Sequence, residues 1–426
     1  MTFKQVTARL KDAARAFCKP GTERVEELCA RLGHPERAVP VIHVTGTNGK
    51  GSTSLMLASV LTAAGYKTGQ FSSPYLSDPT ECVRIHNTQI SKRSFAFLAK
   101  KVFDAAEGMS DAPTEFELLT VIALLAFREA ALDVAVVEVC MGGRLDATNV
   151  IDAPLLSVIT GVSIDHTAFL GNTLADIAKV KAGIVKRGCP VLYGGDAGEA
   201  EEVIRAEAQA LHAPFFKTRS ELLRVESLSL DGTRFSFGNL SAITLPLLGT
   251  YQLKNAATAL TALALLKERL PLLGEDAIRR GFAALTWEAR FERLADDPPL
   301  YFDGAHNPEG IAAAAESIRH YFKDGIVLIG GVLRDKDYAV IAKMLAPLAC
   351  LAFTVTPTNP RALDAKEYAA VLREAGVDAT ACKNVNMALQ KARLAAKERS
   401  LPIVCLGSLY LYGAVKRAVE QTKKRP

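Results

Sequence analysis

The sequence contains no Cys-x-x-Cys pair and no group of cysteines with the spacing of a metal site. Its eight cysteines are scattered, and several stand inside apolar runs that we predict to be strands. A cysteine-based metal site is therefore not expected. Buried free thiols in the reducing environment of the cytoplasm are the simplest interpretation of this pattern.

Long hydrophobic runs and a strong excess of one charge are also missing. The longest apolar stretch, Leu118–Phe127, is bracketed by Glu117 and Arg128 and is too short to cross a bilayer. Residues 1–17 have the pattern of a polar amphipathic helix without the apolar core of a signal sequence. A net charge of +5 is too small to indicate nucleic-acid binding and is compatible with anionic small substrates. We therefore expect a cytoplasmic protein that binds neither nucleic acid nor membranes.

The distribution of apolar residues predicts an α/β fold. Hydrophobic residues make up 49% of the 426 residues, enough for a large core, and this length suggests two or three domains. Short apolar runs alternate with helical patterns almost throughout, which predicts mostly parallel sheets. In the first part of the chain the predicted strands are VIHVT (41–45), VAVVEV (134–139), LLSVIT (155–160) and PVLY (190–193).

Two later segments depart from this alternation. Residues 222–247 alternate with period two around Asp231-Gly232, which predicts a small β-hairpin region. The segment ADDPPL (295–300) is polar and contains two prolines, which predicts a linker. Beyond it, LYFDGA, IVLIGGV, LAFTVTP and PIVCLGS restart the strand–helix pattern and predict a second, smaller, Rossmann-like α/β domain. We therefore expect domains over 1–292 and 293–426.

A glycine-rich turn joins the first predicted strand to a helix in VIHVTGTNGKGSTSLMLASVLTAAG. Backbone amides in such a turn, together with a helix N-terminus and a lysine, form a site for phosphate. The general nucleotide pattern needs four residues between its glycines, whereas only two separate Gly46 from Gly49. A strand–helix turn without a ligand also explains the glycine pair. Lys50, the asparagine and the hydroxyl residues at the helix start favour phosphate binding, and hence a P-loop-type N-terminal domain.

The string HVTGTNGKGST resembles the shortened P-loop of the Mur ligase superfamily, and its Gly51-Ser52 ending is similar to the folylpolyglutamate synthase/dihydrofolate synthase branch. Further strings stand in the order that this family shows: SSPYL, TEFELLT, VEVCMGGRLDATN, SIDHTAFLGNTLADIAKVKAGI, QLKNAATAL, FDGAHNP and GSLYLYG. The resemblance implies a Mur-ligase-like ATP-binding domain followed by a glutamate-ligase domain. It also implies an ADP-forming ligase, here expected to be a monomer, that adds L-glutamate to a reduced folate, to dihydropteroate or to both through an acyl phosphate.

The resemblance also implies the residues of each subsite. The residues implied for ATP are Thr47, Asn48, Gly49, Lys50, Gly51, Ser52, Asn255, Arg290 and Asp303. Those implied for glutamate and for the pterin-bearing substrate are His306 and Ser408, and Thr114, Phe116, Leu145 and Asp146. Phe116 can stack on a flat heterocycle and is equally credible as a core aromatic residue. Before Arg290 this chain has Glu288-Ala289 where the family has Pro-Gly, so the turn that directs the arginine is expected to differ.

A lysine stands inside an apolar stripe in LADIAKVKAGIVKRG. At about 100° per residue Leu174, Ile177, Ile184 and Val185 share one helix face, and Lys181 falls in the middle of it. Burial of an unpaired ammonium is expensive, so this lysine needs a partner, a shifted pKa or a modification. The resemblance implies that Lys181 is carbamylated by CO₂. A salt bridge from Lys181 to Glu138 is the alternative. Val180 occupies a position where the family usually has a glutamate.

The resemblance implies two Mg²⁺ ions. Ser73 and Glu138 would bind the ion that bridges the nucleotide phosphates, and His166 and Lys181 would serve a second metal site. Lys50, Glu138, His166 and Lys181 form the implied catalytic set. Taken singly, Ser73 would be an ordinary turn residue and His166 a structural histidine. Glu138 would then pair with an arginine such as Arg144.

Three other functions share some of these features. A cell-wall Mur ligase would have the same P-loop and lysine, but it normally carries an additional N-terminal domain, for which Gly46 comes too early. A P-loop switch or motor protein is not favoured, because no N-K-x-D string is present. A non-catalytic nucleotide-binding module is the third alternative, and ADP release that depends on glutamate would distinguish it from a ligase.

Overall fold

The structure, a computed structural model, describes residues 1–14 and 20–423 in two compact units. The first unit comprises Met1–Arg224, Phe235–Thr244 and Leu253–Leu285, and the second comprises Val225–Arg234, Leu245–Gln252 and the chain from Thr286 onward. The boundary expected between residues 292 and 293 lies within the second unit, and it stays a prediction.

The first unit contains an eight-stranded sheet with the order β4-β3-β2-β5-β1-β6-β7-β8. Its strands are β1 (Val41–Thr45), β2 (Thr68–Phe71), β3 (Val83–Ile85), β4 (Thr88–Gln89), β5 (Val134–Glu138), β6 (Leu156–Ile159), β7 (Val191–Tyr193) and β8 (Phe215–Lys217). Six neighbouring strands are parallel, namely β2, β5, β1, β6, β7 and β8. Strands β3 and β4 form an antiparallel edge. The four strands predicted for this part are confirmed. Strands β1, β5 and β6 are buried along their whole length, which is why each has a continuous apolar run.

Helices of the first unit connect these strands and cover them. They are α1 (Phe3–Ala13), α2 (Glu23–Arg31), α3 (Lys50–Ala63), α4 (Lys92–Ala106), α5 (Glu115–Glu129), α6 (Thr167–Leu170), α7 (Leu174–Ala182), α8 (Glu199–Ala210), α9 (Gln252–Leu266) and α10 (Glu275–Ala283). Helix α1 confirms the first part of the helix expected over residues 1–17, and residues 15–17 lie outside the described residues. The apolar run of α5 packs with Phe71 and Val137 in one core cluster. Among the described residues, no helix has both the length and the apolarity to span a bilayer.

A separate three-stranded sheet has the order β11-β10-β9. Its strands are β9 (Leu223–Ser229), β10 (Gly232–Phe237) and β11 (Leu240–Leu245). Residues 230–231 connect β9 to β10, which agrees with the hairpin predicted around Asp231-Gly232.

The second unit is built on a six-stranded sheet with the order β12-β13-β17-β14-β15-β16. Its strands and helices are β12 (Glu292–Asp296), β13 (Pro299–Phe302), α11 (Pro308–Tyr321), β14 (Ile326–Gly330), α12 (Tyr338–Leu345), β15 (Ala349–Thr354), α13 (Ala365–Glu374), β16 (Ala379–Ala381), α14 (Val385–Arg399), β17 (Ile403–Leu406) and α15 (Tyr412–Lys423). Five neighbouring strands are parallel, namely β13, β17, β14, β15 and β16. This arrangement confirms the predicted smaller Rossmann-like α/β domain.

The prediction of a linker at residues 295–300 is wrong. Strand β12 pairs antiparallel with β13, and Asp297 and Pro298 form the turn of the resulting hairpin. The polar residues and prolines that suggested a linker are those of a tight turn at the edge of a sheet, where proline costs no ladder hydrogen bond.

The prediction that the cysteines are buried is only partly correct. Seven cysteines are described, and all of them are free thiols. Cys140 and Cys350 are exposed, and Cys189 is intermediate. Cys140 follows β5, Cys350 is the second residue of β15, and Cys189 lies in the turn before β7, so apolar neighbours in sequence did not ensure their burial. Cys18 lies outside the described residues.

Candidate active site

The turn at the end of β1 contains two positions, Gly46 and Gly49, that only glycine can occupy without strain. Gly46 has φ 150° and Gly49 has φ 82°, and Gly49 precedes the first residue of α3. A Cβ atom on Gly49 would lie 2.3 Å from Oδ1 of Asn255, and one on Gly46 would lie 2.0 Å from Oγ1 of Thr160. The structure therefore brings Asn255, which is distant in sequence, directly against the loop.

Hydrogen bonds fix this loop to the segment that follows β6. The Thr47 amide donates to the Gly161 carbonyl at 2.9 Å, and Thr160 Oγ1 donates to the Asn48 carbonyl at 2.6 Å. Thr47 also exchanges two hydrogen bonds with the Ser163 backbone. Thr160 and Ser163 were not predicted as site residues, although hydroxyl groups within four residues of the end of a buried parallel strand were a usable signal.

Lys50 is the first residue of α3, and its ammonium group lies over the loop. Its Nζ donates to the carbonyls of Gly46 and Thr47 at 3.0 and 3.2 Å. Gly51 and the buried Ser52 follow it in the first turn of the helix. A helix N-terminus with a mobile cation above it is a suitable site for phosphate groups.

Ser73 and Glu138 meet where β2 and β5 end. Glu138 is the register partner of Val44, two residues before Gly46, so its carboxylate lies at the P-loop edge of the sheet. The Ser73 backbone N–H donates to Glu138 Oε2 at 3.3 Å. The Ser73 Oγ atom is buried without a hydrogen-bond partner of normal geometry. Arg144, the alternative partner suggested for Glu138, donates to Glu207 at 2.9 Å.

His166 and Lys181 lie on the segments after β6. His166 has φ 52° at the start of α6, and its Nε2 lies 3.8 Å from the Asp165 carboxylate. Lys181 is 2% exposed on α7, so its predicted burial is confirmed. Within residues 1–14 and 20–423, no group of three or more His, Cys, Asp or Glu side chains is arranged to hold a metal ion. A metal site at this position would therefore need other ligands, such as a hydroxyl, a modified lysine or the substrate.

The residues expected to contact the pterin lie in two different environments. Thr114 caps the N-terminus of α5, and Phe116 in its first turn lies 5.8 Å from the Phe71 ring at the edge of the core. Leu145, in contrast, is 54% exposed. Phe116 therefore has a core contact and a partly open position at the same time.

Asp146 is occupied by contacts within the chain. One carboxylate oxygen accepts from the amides of Cys140 and Met141, both at 3.1 Å, and the other accepts from the amide and hydroxyl of Thr148. Burial raises the pKa of Asp146, and these hydrogen bonds oppose that increase. Because a carboxylate has about four acceptor positions, the structure shows Asp146 shaping the 140–148 loop. Its contact with a pterin stays a prediction.

In the second unit, the polar groups predicted for ATP and glutamate follow β13 and β17. The Gly407 amide donates to the Ala305 carbonyl, so the loops that carry His306 and Ser408 are adjacent. His306 Nδ1 lies 2.9 Å from the Gly304 carbonyl, and the Ser408 Oγ accepts from the Tyr410 amide at 3.2 Å. Asp303 is buried at the end of β13 and lies close to the turn that contains Arg290.

Comparisons with known proteins agree with these two units. Residues 44–263 match the Mur ligase middle domain, and residues 289–409 match the Mur ligase glutamate ligase domain. The Bacillus subtilis dihydrofolate synthase/folylpolyglutamate synthase is 38% identical over 361 residues, which cover 82% of this chain and 84% of that protein.

Two solved structures are also similar along almost the whole chain. Mycobacterium tuberculosis folylpolyglutamate synthase complexed with ADP has a TM-score of 0.90 and 34% identity, with 98% of each chain covered. A complex described as FPGS–AMPPCP–folate has a TM-score of 0.86 and 32% identity, and covers 98% of this chain and 100% of that one. These similarities do not favour the cell-wall ligase alternative. The chain therefore belongs to the folylpolyglutamate synthase/dihydrofolate synthase family of Mur ligases and is an ATP-dependent ligase of that family.

Proposed function

We propose that this enzyme joins the α-amine of L-glutamate to the carboxylate of a reduced folate, and that it also accepts dihydropteroate. The observation that carries this proposal is the pair Ser73–Glu138 at the P-loop edge of the sheet, with the Ser73 hydroxyl buried and without a hydrogen-bond partner of normal geometry. A folate complex among the similar structures and the double name of the Bacillus subtilis relative support the choice of substrates.

The proposed reaction has two steps. An oxygen of the substrate carboxylate attacks the γ-phosphorus of ATP, which forms an acyl phosphate and releases ADP. The glutamate amine then attacks the acyl carbon, the amine loses a proton, and inorganic phosphate leaves. Lys50 and the loop amides stabilise negative charge on the transferring group. We assign Thr47, Asn48, Gly49, Gly51, Ser52, Asn255, Arg290 and Asp303 to ATP.

The side chains at the end of β2 and β5 suit Mg²⁺, which prefers oxygen ligands and is commonly held by one or two protein groups plus phosphates. We assign Ser73 and Glu138 to this ion, because a buried hydroxyl next to a carboxylate supplies two oxygen ligands. When bound, Mg²⁺ would neutralise charge on the phosphate oxygens.

A second metal position is proposed at His166 and Lys181. Carbamylation joins the neutral lysine amine to the carbon of CO₂ with loss of a proton, and so converts a buried cation into a carboxylate. The burial of Lys181 supports this modification, because desolvation favours the neutral amine.

The remaining assignments concern the other two substrates. We assign Thr114, Phe116, Leu145 and Asp146 to the pterin-bearing substrate and His306 and Ser408 to glutamate. We further propose that the enzyme is a monomer and acts in the cytoplasm.

An ATP turnover assay with defined substrates tests the proposal. ADP release should require both glutamate and either tetrahydrofolate or dihydropteroate, and mass spectrometry should find one added glutamate per ADP. Lys50→Ala and Glu138→Ala should abolish ADP formation while circular dichroism is unchanged. ADP release that is independent of glutamate would contradict the proposal and favour a nucleotide-binding module.

A further inference from the structure

Arg290 is flanked by two residues with unusual backbone conformations. Ala289 has φ 58° and Phe291 has φ 45°, so both adopt the left-handed region without being glycine. Such conformations cost free energy and persist only where the surrounding structure enforces them. The side chain of Arg290 therefore leaves the chain in a direction that its neighbours must hold in place.

Two carboxylates hold this turn: Glu292 accepts from the Ala289 amide at 2.7 Å, and Asp303 accepts from the Phe291 amide. Asp303 Oδ2 accepts hydrogen bonds from the Phe291 amide at 2.9 Å and from the Tyr251 hydroxyl, and its Oδ1 accepts from the Ala305 amide at 2.8 Å. Asp303 is 2% exposed, so these bonds form away from bulk water. Three of about four acceptor positions of the carboxylate are therefore used inside the second unit.

The guanidinium of Arg290 depends on the same turn. Its Nη1 donates to the Ala289 carbonyl at 3.0 Å, and that carbonyl also accepts from the Gly304 amide at 2.9 Å. A Cβ atom on Gly304 would lie 2.7 Å from Nη1, so the arginine lies directly over this glycine. A shift of the turn would move the guanidinium with it.

We propose that Tyr251 is a positioning residue for Arg290 and acts through Asp303. The Tyr251 hydroxyl donates to the carboxylate oxygen that also binds the Phe291 amide, and it thereby fixes Asp303 in the orientation that holds the turn. The inference rests on the proposed contact between Arg290 and ATP. It gives Asp303 a second role, the orientation of Arg290, beside its proposed contact with ATP.

The Tyr251 hydroxyl stays protonated and can therefore donate its hydrogen bond to Asp303 at all times. Burial and the Asp303 carboxylate both raise the pKa of the Tyr251 phenol well above its ordinary value, and Arg290 opposes this increase. The phenol therefore keeps its proton throughout the physiological pH range, and the hydrogen bond to Asp303 is always available.

The variant Tyr251→Phe removes only the hydroxyl group. A hydrogen bond to a charged group contributes enough that we expect the KM for ATP to rise about tenfold, with the KM for glutamate unchanged. Tyr321→Phe is a matched control, because Tyr321 also lies in the second unit near Phe291 but accepts a hydrogen bond from the Gly249 amide. It should leave the KM for ATP within about twofold. Equal effects of the two variants on the KM for ATP would overturn the inference.

A double-mutant cycle separates the inference from the proposed function. Arg290→Ala alone should raise the KM for ATP, and adding Tyr251→Phe to it should have no further effect. If Arg290→Ala leaves ATP use unchanged, the assignment of Arg290 to ATP is wrong. If Arg290→Ala weakens ATP use and the Tyr251→Phe effect is fully additive, Tyr251 does not act through Arg290. Calorimetric titration of each variant with AMPPCP gives the same comparison without turnover.

Discussion

The backbone N–H of Ser73 donates to Glu138 at 3.3 Å, while the Ser73 hydroxyl oxygen is buried without a partner of normal hydrogen-bonding geometry. An unsatisfied buried hydroxyl costs about 1–3 kcal/mol, and a ligand bound beside the carboxylate would satisfy it. This pair therefore offers a direct test of the proposed Mg²⁺ site.

Ser73→Ala should lower Mg²⁺-dependent turnover at least tenfold and should leave the melting temperature unchanged or slightly raised. The physical reason is that alanine removes a metal ligand and, within the chain, only a weak contact of the hydroxyl with the Cys140 thiol. Turnover at several Mg²⁺ concentrations is the measurement, and the variant should need more Mg²⁺ for half-maximal rate.

Ser54→Ala is the control for this variant. Ser54 also carries a buried hydroxyl without a hydrogen-bond partner, on α3. Its removal should leave the Mg²⁺ dependence unaltered. If both variants change turnover equally, the Ser73 effect comes from packing and the metal assignment is wrong.

His306→Ala and Ser408→Ala should mainly weaken the use of glutamate. The two residues lie on adjacent loops after β13 and β17, and we expect each variant to raise the KM for glutamate about tenfold with little change in the KM for ATP. Initial rates with one substrate varied at a time give both values. His320→Ala, which changes an exposed histidine elsewhere in the second unit, is the control. A change in the KM for ATP alone would show that the glutamate site lies elsewhere.

Most of the fold was predictable because a parallel strand that is buried on both faces has a continuous apolar run in its sequence. Strand β1 was predicted with its observed ends, and β5, β6 and β7 to within one residue at each end. Short strands and edge strands lack such an apolar run. Strand β2 contains Thr68, Gly69 and Gln70, and β12 contains three charged residues, so neither stands out as an apolar run.

The candidate site was less predictable than the fold. The P-loop, Glu138 and the burial of Lys181 followed from local patterns, since each concerns one segment. The role of Asp146 depends on the exact conformation of the 140–148 loop, and the Asn255 contact with Gly49 joins residues far apart in sequence. The left-handed conformation of Ala289 was not predictable, because no local pattern indicates that an alanine will occupy it.

His43 should make the first unit sensitive to acid. His43 is fully buried on β1, and burial lowers its pKa from 6.5 to about 3. Its Nε2 lies 2.8 Å from the Thr148 hydroxyl, which donates in turn to Asp146. The folded state therefore keeps this histidine neutral, whereas the unfolded state binds a proton below pH 6.5. Protonation thus favours unfolding as the pH falls from about 6.5 towards 3.

Urea midpoints at pH 7, 6 and 5 measure this effect. The wild type should lose up to roughly 1 kcal/mol per pH unit below pH 6.5 from this residue alone. His43→Gln keeps a donor for Thr148 but cannot be protonated, so its stability should fall less steeply. Equal slopes for the two proteins would show that His43 does not cause the acid sensitivity.

Variants of Lys181 that differ in charge can distinguish a carbamylated lysine from a lysine in a salt bridge. If the lysine is carbamylated, it acts as a carboxylate, so Lys181→Ala should be nearly inactive and partly rescued by a short-chain carboxylic acid that enters the vacated space. Lys181→Arg should be inactive, because arginine brings a fixed cation into a buried site and cannot be carbamylated in this way. A salt bridge between Lys181 and Glu138 leads to the opposite expectation: arginine should substitute tolerably, and added carboxylic acid should have no effect.

A neighbouring lysine supplies the control for this test. Lys179 is exposed on the same helix, so Lys179→Ala should keep normal turnover with or without the added acid. Intact-protein mass spectrometry at neutral pH after trapping of carbamates should find one labelled lysine in the wild type and none in Lys181→Ala. An active Lys181→Arg enzyme would refute the carbamate, because charge of the wrong sign cannot replace a carboxylate next to a metal ion.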